Sequence, residues 1–171
     1  QQLIYLLRVL EKAGRIPQIP IYLDSPMAAS ATLIFNKYHD EHDMSEDRSI
    51  SAEDALKAPN VHVVRDVRAS KRINSVQGPA VIIASNGMMT GGRILHHLKQ
   101  RLPDPKNTVV LGGSMAPGTR ERDMQEGRDR IRIYGQDVPV RAHRASISAI
   151  SGHADRSELL RWLKDLPAPK R

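Results

Sequence analysis

Ala80-Val81-Ile82-Ile83-Ala84 has no polar side chain on either of its two alternating faces. Such a strand has to be covered on both sides, the situation of a parallel sheet flanked by helices. Three more short runs, Ile19-Pro20-Ile21-Tyr22-Leu23, Val61-His62-Val63-Val64 and Thr108-Val109-Val110-Leu111, read as strands, and each leads into a turn and a helical stretch. Strand alternating with helix predicts an α/β fold with a mostly parallel sheet.

The helix signals fit this frame. Leu3, Ile4, Leu6, Leu7 and Leu10 follow a helical period, and Gly14 suits the cap that ends it. Ser25 is the natural N-cap, and Pro26 the first residue, of a helix running to about Tyr38. A polar stretch from His39 to Arg48 reads as a loop, and a short helix begins at Ser51. Further helices are expected over 67–76, 93–102 and around 119–127. The pattern then changes. Ile131-Arg132-Ile133-Tyr134 and Val138-Pro139-Val140-Arg141 flank Gly135-Gln136-Asp137, which predicts a hairpin. A strand-like run, Ala145 to Ile150, precedes the turn Ser151-Gly152-His153-Ala154-Asp155 and a helix over 156–164.

Charge divides the chain. Residues 1–60 hold 6 Lys/Arg and 9 Asp/Glu, whereas residues 61–171 hold 20 and 10. A basic two-thirds suggests a polyanionic partner. With 1 Phe, 1 Trp and 4 Tyr, base-stacking platforms of the single-strand-binding kind are not expected, and recognition would rest on phosphates. No run is apolar for more than four or five residues, too short for a membrane span. The absence of cysteine removes disulfides and thiolate metal sites and fits a cytoplasmic location. The chain opens on Gln1 with no secretory signal and reads as an excised fragment.

Three turns follow the carboxyl ends of predicted parallel strands: 24–26, 85–92 and 112–119. Ligands of open α/β sheets bind outside those ends. Glycines and helix starts there free backbone N–H groups for phosphate. Asn86-Gly87-Met88-Met89-Thr90-Gly91-Gly92-Arg93 is neither a Walker loop nor a dinucleotide fingerprint. His96 and His97 are adjacent on a helix and leave it about 100° apart, so they are expected to pack and not to share one metal. No three histidine or acidic residues show a metal spacing, and no metal ligand is assigned. In the basic run, Arg120 and with it Arg122 could face the rim, while Arg128, Arg130 and Arg132 read as a solvated face. His153, in a turn before a helix, can exchange a proton near neutral pH.

Taken in order, five motifs resemble the β-CASP nucleases of the metallo-β-lactamase fold, nearest to bacterial and archaeal proteins similar to the cleavage and polyadenylation specificity factor nuclease. They are Tyr22-Leu23-Asp24-Ser25-Pro26-Met27-Ala28, Ala84 to Leu98, Ala116-Pro117-Gly118-Thr119, Val138-Pro139-Val140-Arg141-Ala142 and Ser151-Gly152-His153-Ala154-Asp155. The resemblance implies a β-CASP domain over 1–127 and, over 128–171, part of the return into the metallo-β-lactamase domain. It implies the RNA-binding half of a zinc-dependent ribonuclease, with His153 contacting the scissile phosphate as general acid. Ser25, Thr90, Gly91, Gly92, Arg93 and Arg120 would bind RNA phosphates. Two zinc ions would belong to the intact protein, held by a His-x-His-x-Asp-His motif this chain lacks, so the chain alone is expected to be inactive and metal-free. RNA, the missing domain and a second copy are the expected partners, with no membrane. A non-catalytic RNA-binding scaffold and a DNA-directed nuclease are the alternatives. Where the subgroup has glycine and then a basic residue after Arg120, this chain has Glu121 and Arg122.

Overall fold

A computed structural model describes residues 1–38, 41, 57–113, 115–147 and 154–164. The elements in order are α1 (Gln2–Lys12), β1 (Ile21–Asp24), α2 (Pro26–Lys37), β2 (Val61–Val63), α3 (Val67–Arg72), β3 (Val81–Ala84), α4 (Ile94–Arg101), β4 (Thr108–Gly112), α5 (Arg120–Gln125), β5 (Arg130–Ile133), β6 (Gln136–Pro139), β7 (His143–Ile147) and α6 (Arg156–Lys164). Among the described residues, no helix is long and apolar enough to cross a membrane.

β1 is central in a parallel sheet of order β2-β1-β3. Tyr22 lies opposite His62 on one side and Ile82 on the other. Ile4 from α1 and Leu23 from β1 are buried together, with Ala28, Phe35, Val61 and Ile83 packed around them. Burial of one such aliphatic side chain contributes about 1.5–3 kcal/mol. The cap of α2 forms as its residues dictate: the Ser25 hydroxyl accepts the Ala28 N–H at 3.2 Å and Pro26 takes the first helical position. The polar stretch and short helix expected between His39 and Lys57 fall almost wholly outside the described residues.

The fourth strand departs from the simplest expectation. β4 pairs in parallel with β7, from Thr108 opposite His143 to Gly112 opposite Ile147. The chain is led there by backbone bonds, since the Arg141 and Ala142 N–H groups both donate to the Leu102 carbonyl. The larger core joins α4, β4, α5, the hairpin and the entry to β7: Leu95, Leu98, Leu102, Leu111, Met124, Ile131, Ile133, Val138 and Ala142 are all buried in it. Packing is therefore continuous across residue 127.

The hairpin is tighter than Gly135-Gln136-Asp137 suggested. Ile133 pairs with Gln136, leaving a two-residue loop, Tyr134-Gly135, with φ of 50° and 75°. Two positive φ values make it one of the two loop forms that match strand twist at that length.

Candidate nucleic-acid interface

The turns after β1 and β3 lie side by side because β1 and β3 are parallel neighbours. The Ser25 and Ser85 hydroxyls meet at 2.9 Å and join them. The third turn is tied in from its helix: Arg120 donates from one terminal nitrogen to the Met89 carbonyl at 2.8 Å and from Nε to the Arg132 carbonyl at 2.5 Å. Hydrogen bonds thus run without a break from Ser25 through the 85–92 turn to the start of α5.

The 85–92 turn holds its own shape. The Asn86 side chain accepts from the Met88 N–H and donates to the Thr90 hydroxyl, both at 3.0 Å. Met89, at φ 54°, turns its side chain into the core. Gly92 has φ 79°, and a Cβ there would stand 2.7 Å from the Ser85 carbonyl oxygen, so only glycine fits. Gly91 differs: a Cβ there would meet nothing within 4 Å. The same holds for every other described glycine but Gly92, so what sets Gly91 apart is its place in the braced turn. Thr90 and Gly92 are exposed beside it.

Beneath this turn sits a buried polar network. Asp24, at the end of β1, is fully buried. One carboxylate oxygen accepts from Arg93 at 2.8 Å. The other accepts from the Ser70 hydroxyl at 2.5 Å and from His97 Nε2 at 2.7 Å. Ser70 spends its single proton on Asp24, so His96 Nε2, 2.8 Å from the Ser70 oxygen, must be the donor of that bond. Asn74 lies against both Nδ1 atoms, at 3.4 Å from His96 and 3.2 Å from His97. Burial pushes the Asp24 carboxyl up, but the donors from Ser70, His97 and Arg93 outweigh it and hold the group below the ordinary carboxylate range. Burial lowers both histidines, against the pull of Asp24.

The histidine pair packs as expected, but helical geometry does not hold the two rings apart. The two rings lie 3.9 Å apart between centroids, and one nitrogen from each lies with an Asp24 oxygen in a set whose atoms are all within 4.8 Å. Diverging Cβ vectors did not keep them apart, because α4 starts over the end of β1 and both side chains swing toward the same carboxylate. Its donors are nevertheless spent: Asp24 already neutralises Arg93 and accepts from Ser70 and His97. A zinc ion would have to displace those partners beside an existing cation, so this set does not fit one.

The residues expected to touch RNA fall into two groups. Ser25 is buried as cap and link, while Thr90, Gly91 and Gly92 line the turn. Arg93 and Arg120 support it from behind. Arg93 also donates to the Val64 and Arg65 carbonyls at 2.9 and 2.8 Å, tying the end of β2 to the network. Glu121, beside the rim in sequence, is turned inward and only 2% exposed. Burial raises its carboxyl above the usual value, offset in part by the Gly112 N–H. His153 lies outside the described residues. Sequence reasoning missed Ser70, Asn74 and the joint role of Asp24 and His97. Their only sequence signal is two histidines at the start of a helix directly after a glycine turn.

Residues 1–124 match the Beta-Casp domain family, and residues 137–170 match the family described as the Zn-dependent metallo-hydrolase RNA specificity domain. Ribonuclease TTHA0252 of Thermus thermophilus is 36% identical over 170 residues, covering 98% of this chain and 38% of that protein. Transcription termination factor FttA of Pyrococcus horikoshii is 34% identical over 176 residues, 97% of this chain and 27% of its own length. An RNase J-like protein of Methanocaldococcus jannaschii is 28% identical over 176 residues, 100% of this chain and 38% of its own length. The chain thus spans well under half the length of these curated relatives. The motif order, the parallel sheet with its turns at the strand ends and these matches lead to one conclusion: the chain belongs to the β-CASP family.

Proposed function

We propose that this chain is the RNA-holding part of a zinc-dependent ribonuclease, with the rim of linked turns carrying the RNA backbone. The observation that supports it best is the bracing of the 85–92 turn by Arg93 and Arg120, which holds exposed Thr90 and Gly92 and the unobstructed Gly91 on one rim. Thr90, Gly91 and Gly92 contact phosphate; Ser25, Arg93 and Arg120 act as positioning residues that fix the turn. His153 is the general acid of the whole enzyme. The two zinc ions, which would supply the attacking hydroxide, are held by residues outside this chain. The chain alone binds RNA without cleaving it.

Two measurements test this. Gly91→Val puts a side chain into the open space without meeting protein atoms. It should keep the melting temperature and weaken binding of a 20-nucleotide single-stranded RNA at least tenfold by fluorescence anisotropy. Unchanged affinity would remove the rim from the RNA path. In the complete polypeptide, His153→Ala should slow single-turnover cleavage about 10²–10⁴-fold. Cleavage at the wild-type rate would remove His153 from the chemistry.

A further inference from the structure

Tyr134 stands where its residue type is disfavoured. It holds φ 50° at the first position of the two-residue hairpin loop, with Gly135 at 75°. Asparagine or glycine suits that position, and left-handed backbone is costly for a bulky side chain. Core packing gives no reason for the ring, which is 58% exposed. An outlier maintained without a packing benefit points to a use outside the fold.

The neighbouring residues suggest that use. Ile131 and Ile133 are buried on the inner face of β5, which places Arg130 and Arg132 on the outer face, both exposed. Arg130 donates from one terminal nitrogen to the Asp137 carbonyl at 3.0 Å. Arg128, just before β5, pairs with Asp123, and Arg144 donates to the Arg128 carbonyl at 2.6 Å. Each such guanidinium has five N–H donors, so these contacts leave several for a ligand. Asp137, opposite Arg132, is the acidic group on this face of the ladder. The face is also connected to the rim, since Arg120 bonds the Arg132 carbonyl and the Met89 carbonyl together.

We propose that the β5–β6 hairpin is a second contact for single-stranded RNA, with Tyr134 stacking on a base and Arg130 and Arg132 holding the adjacent phosphates. The inference rests on the reading of the rim as an RNA surface and extends the strand's path away from it. A single exposed ring stacks a single base, short of the platform that six aromatic residues in the chain argue against, and such stacking beside a basic track requires an unpaired base. An exposed tyrosine beside exposed arginines fits that pairing and does not fit duplex recognition by phosphates alone.

The test uses the chain as it stands and a fluorescein-labelled 20-nucleotide unstructured RNA. Tyr134→Asn removes the ring and supplies the residue the loop prefers. It should raise or keep the melting temperature while weakening binding about 5- to 100-fold. Tyr134→Phe, which keeps the ring, should bind within about twofold of wild type. Arg130→Gln and Arg132→Gln should each lower the slope of log affinity against log salt by about 0.7. If Tyr134→Asn binds like wild type while Gly91→Val does not, the rim reading stands and the hairpin contact is overturned. Equal loss in Tyr134→Phe and Tyr134→Asn would overturn stacking. Absence of RNA binding by the wild-type chain would overturn the rim reading and this inference together.

Discussion

Two buried carboxylates sit under neighbouring turns of the rim, and they are solvated in opposite ways. Asp24 accepts from Arg93, Ser70 and His97 and is held ionised. Glu121 accepts from the Gly112 N–H, and burial favours its neutral form. Depth alone does not decide charge: Asp24 and Glu121 are 0% and 2% exposed. The number and charge of the donors decide it. The turn over Asp24 is consequently cross-braced to β2, α3 and α4, whereas that over Glu121 is held by the Thr119 cap and by Arg120 at the start of α5.

The largest test of this contrast is Asp24→Ala. It strands the Arg93 charge and leaves Ser70 and His97 without their acceptor, and should cost about 3–5 kcal/mol in denaturant unfolding. A cost below about 1 kcal/mol would show that the network is not what holds the turn. Gly92→Ala comes next, at about 1–3 kcal/mol, from positive φ and the approach to Ser85. Glu121→Gln should act the other way, gaining about 1 kcal/mol near pH 8. A raised acid contributes stability below its ordinary pKa of 4.5, and that contribution is lost as pH rises through its folded value. The gain should therefore vanish below about pH 4.5, and a gain independent of pH would refute the assignment. The smallest effect is the acid limb. His96 and His97 are depressed from 6.5, so their share of stability is present above that pH and declines as pH falls below it. Thermal melts from pH 8 to 5 should show this decline, and Glu121→Gln should leave it in place.

The strands and the α2 cap were legible because local chemistry sets them: an apolar run cannot face water, and Ser25-Pro26 has few other uses. The pairing of β4 with β7 was not, because their partners are more than 30 residues apart and no local pattern specifies a long-range neighbour. The network was legible only in part. Asp24 reads as a capping residue in sequence, yet Ser25 caps the helix and Asp24 anchors the site. Ser70 and Asn74 carry no signal, since hydroxyl and amide residues are common on helix ends. Tyr134 was hidden for the opposite reason: its residue type argues against the conformation it adopts.

The β4–β7 ladder also works as a gauge. Its register, fixed from Thr108–His143 to Gly112–Ile147, ends six residues before His153. A strand advances about 3.3 Å per residue, so six residues reach no further than about 20 Å. A slip of one residue would move the tether's origin by about 3.3 Å and invert which side chains of β7 face the core. Proton transfer needs its donor within about 3 Å of the acceptor. On the reading of His153 proposed above, the accuracy of this ladder sets the error with which that histidine is delivered to a phosphate.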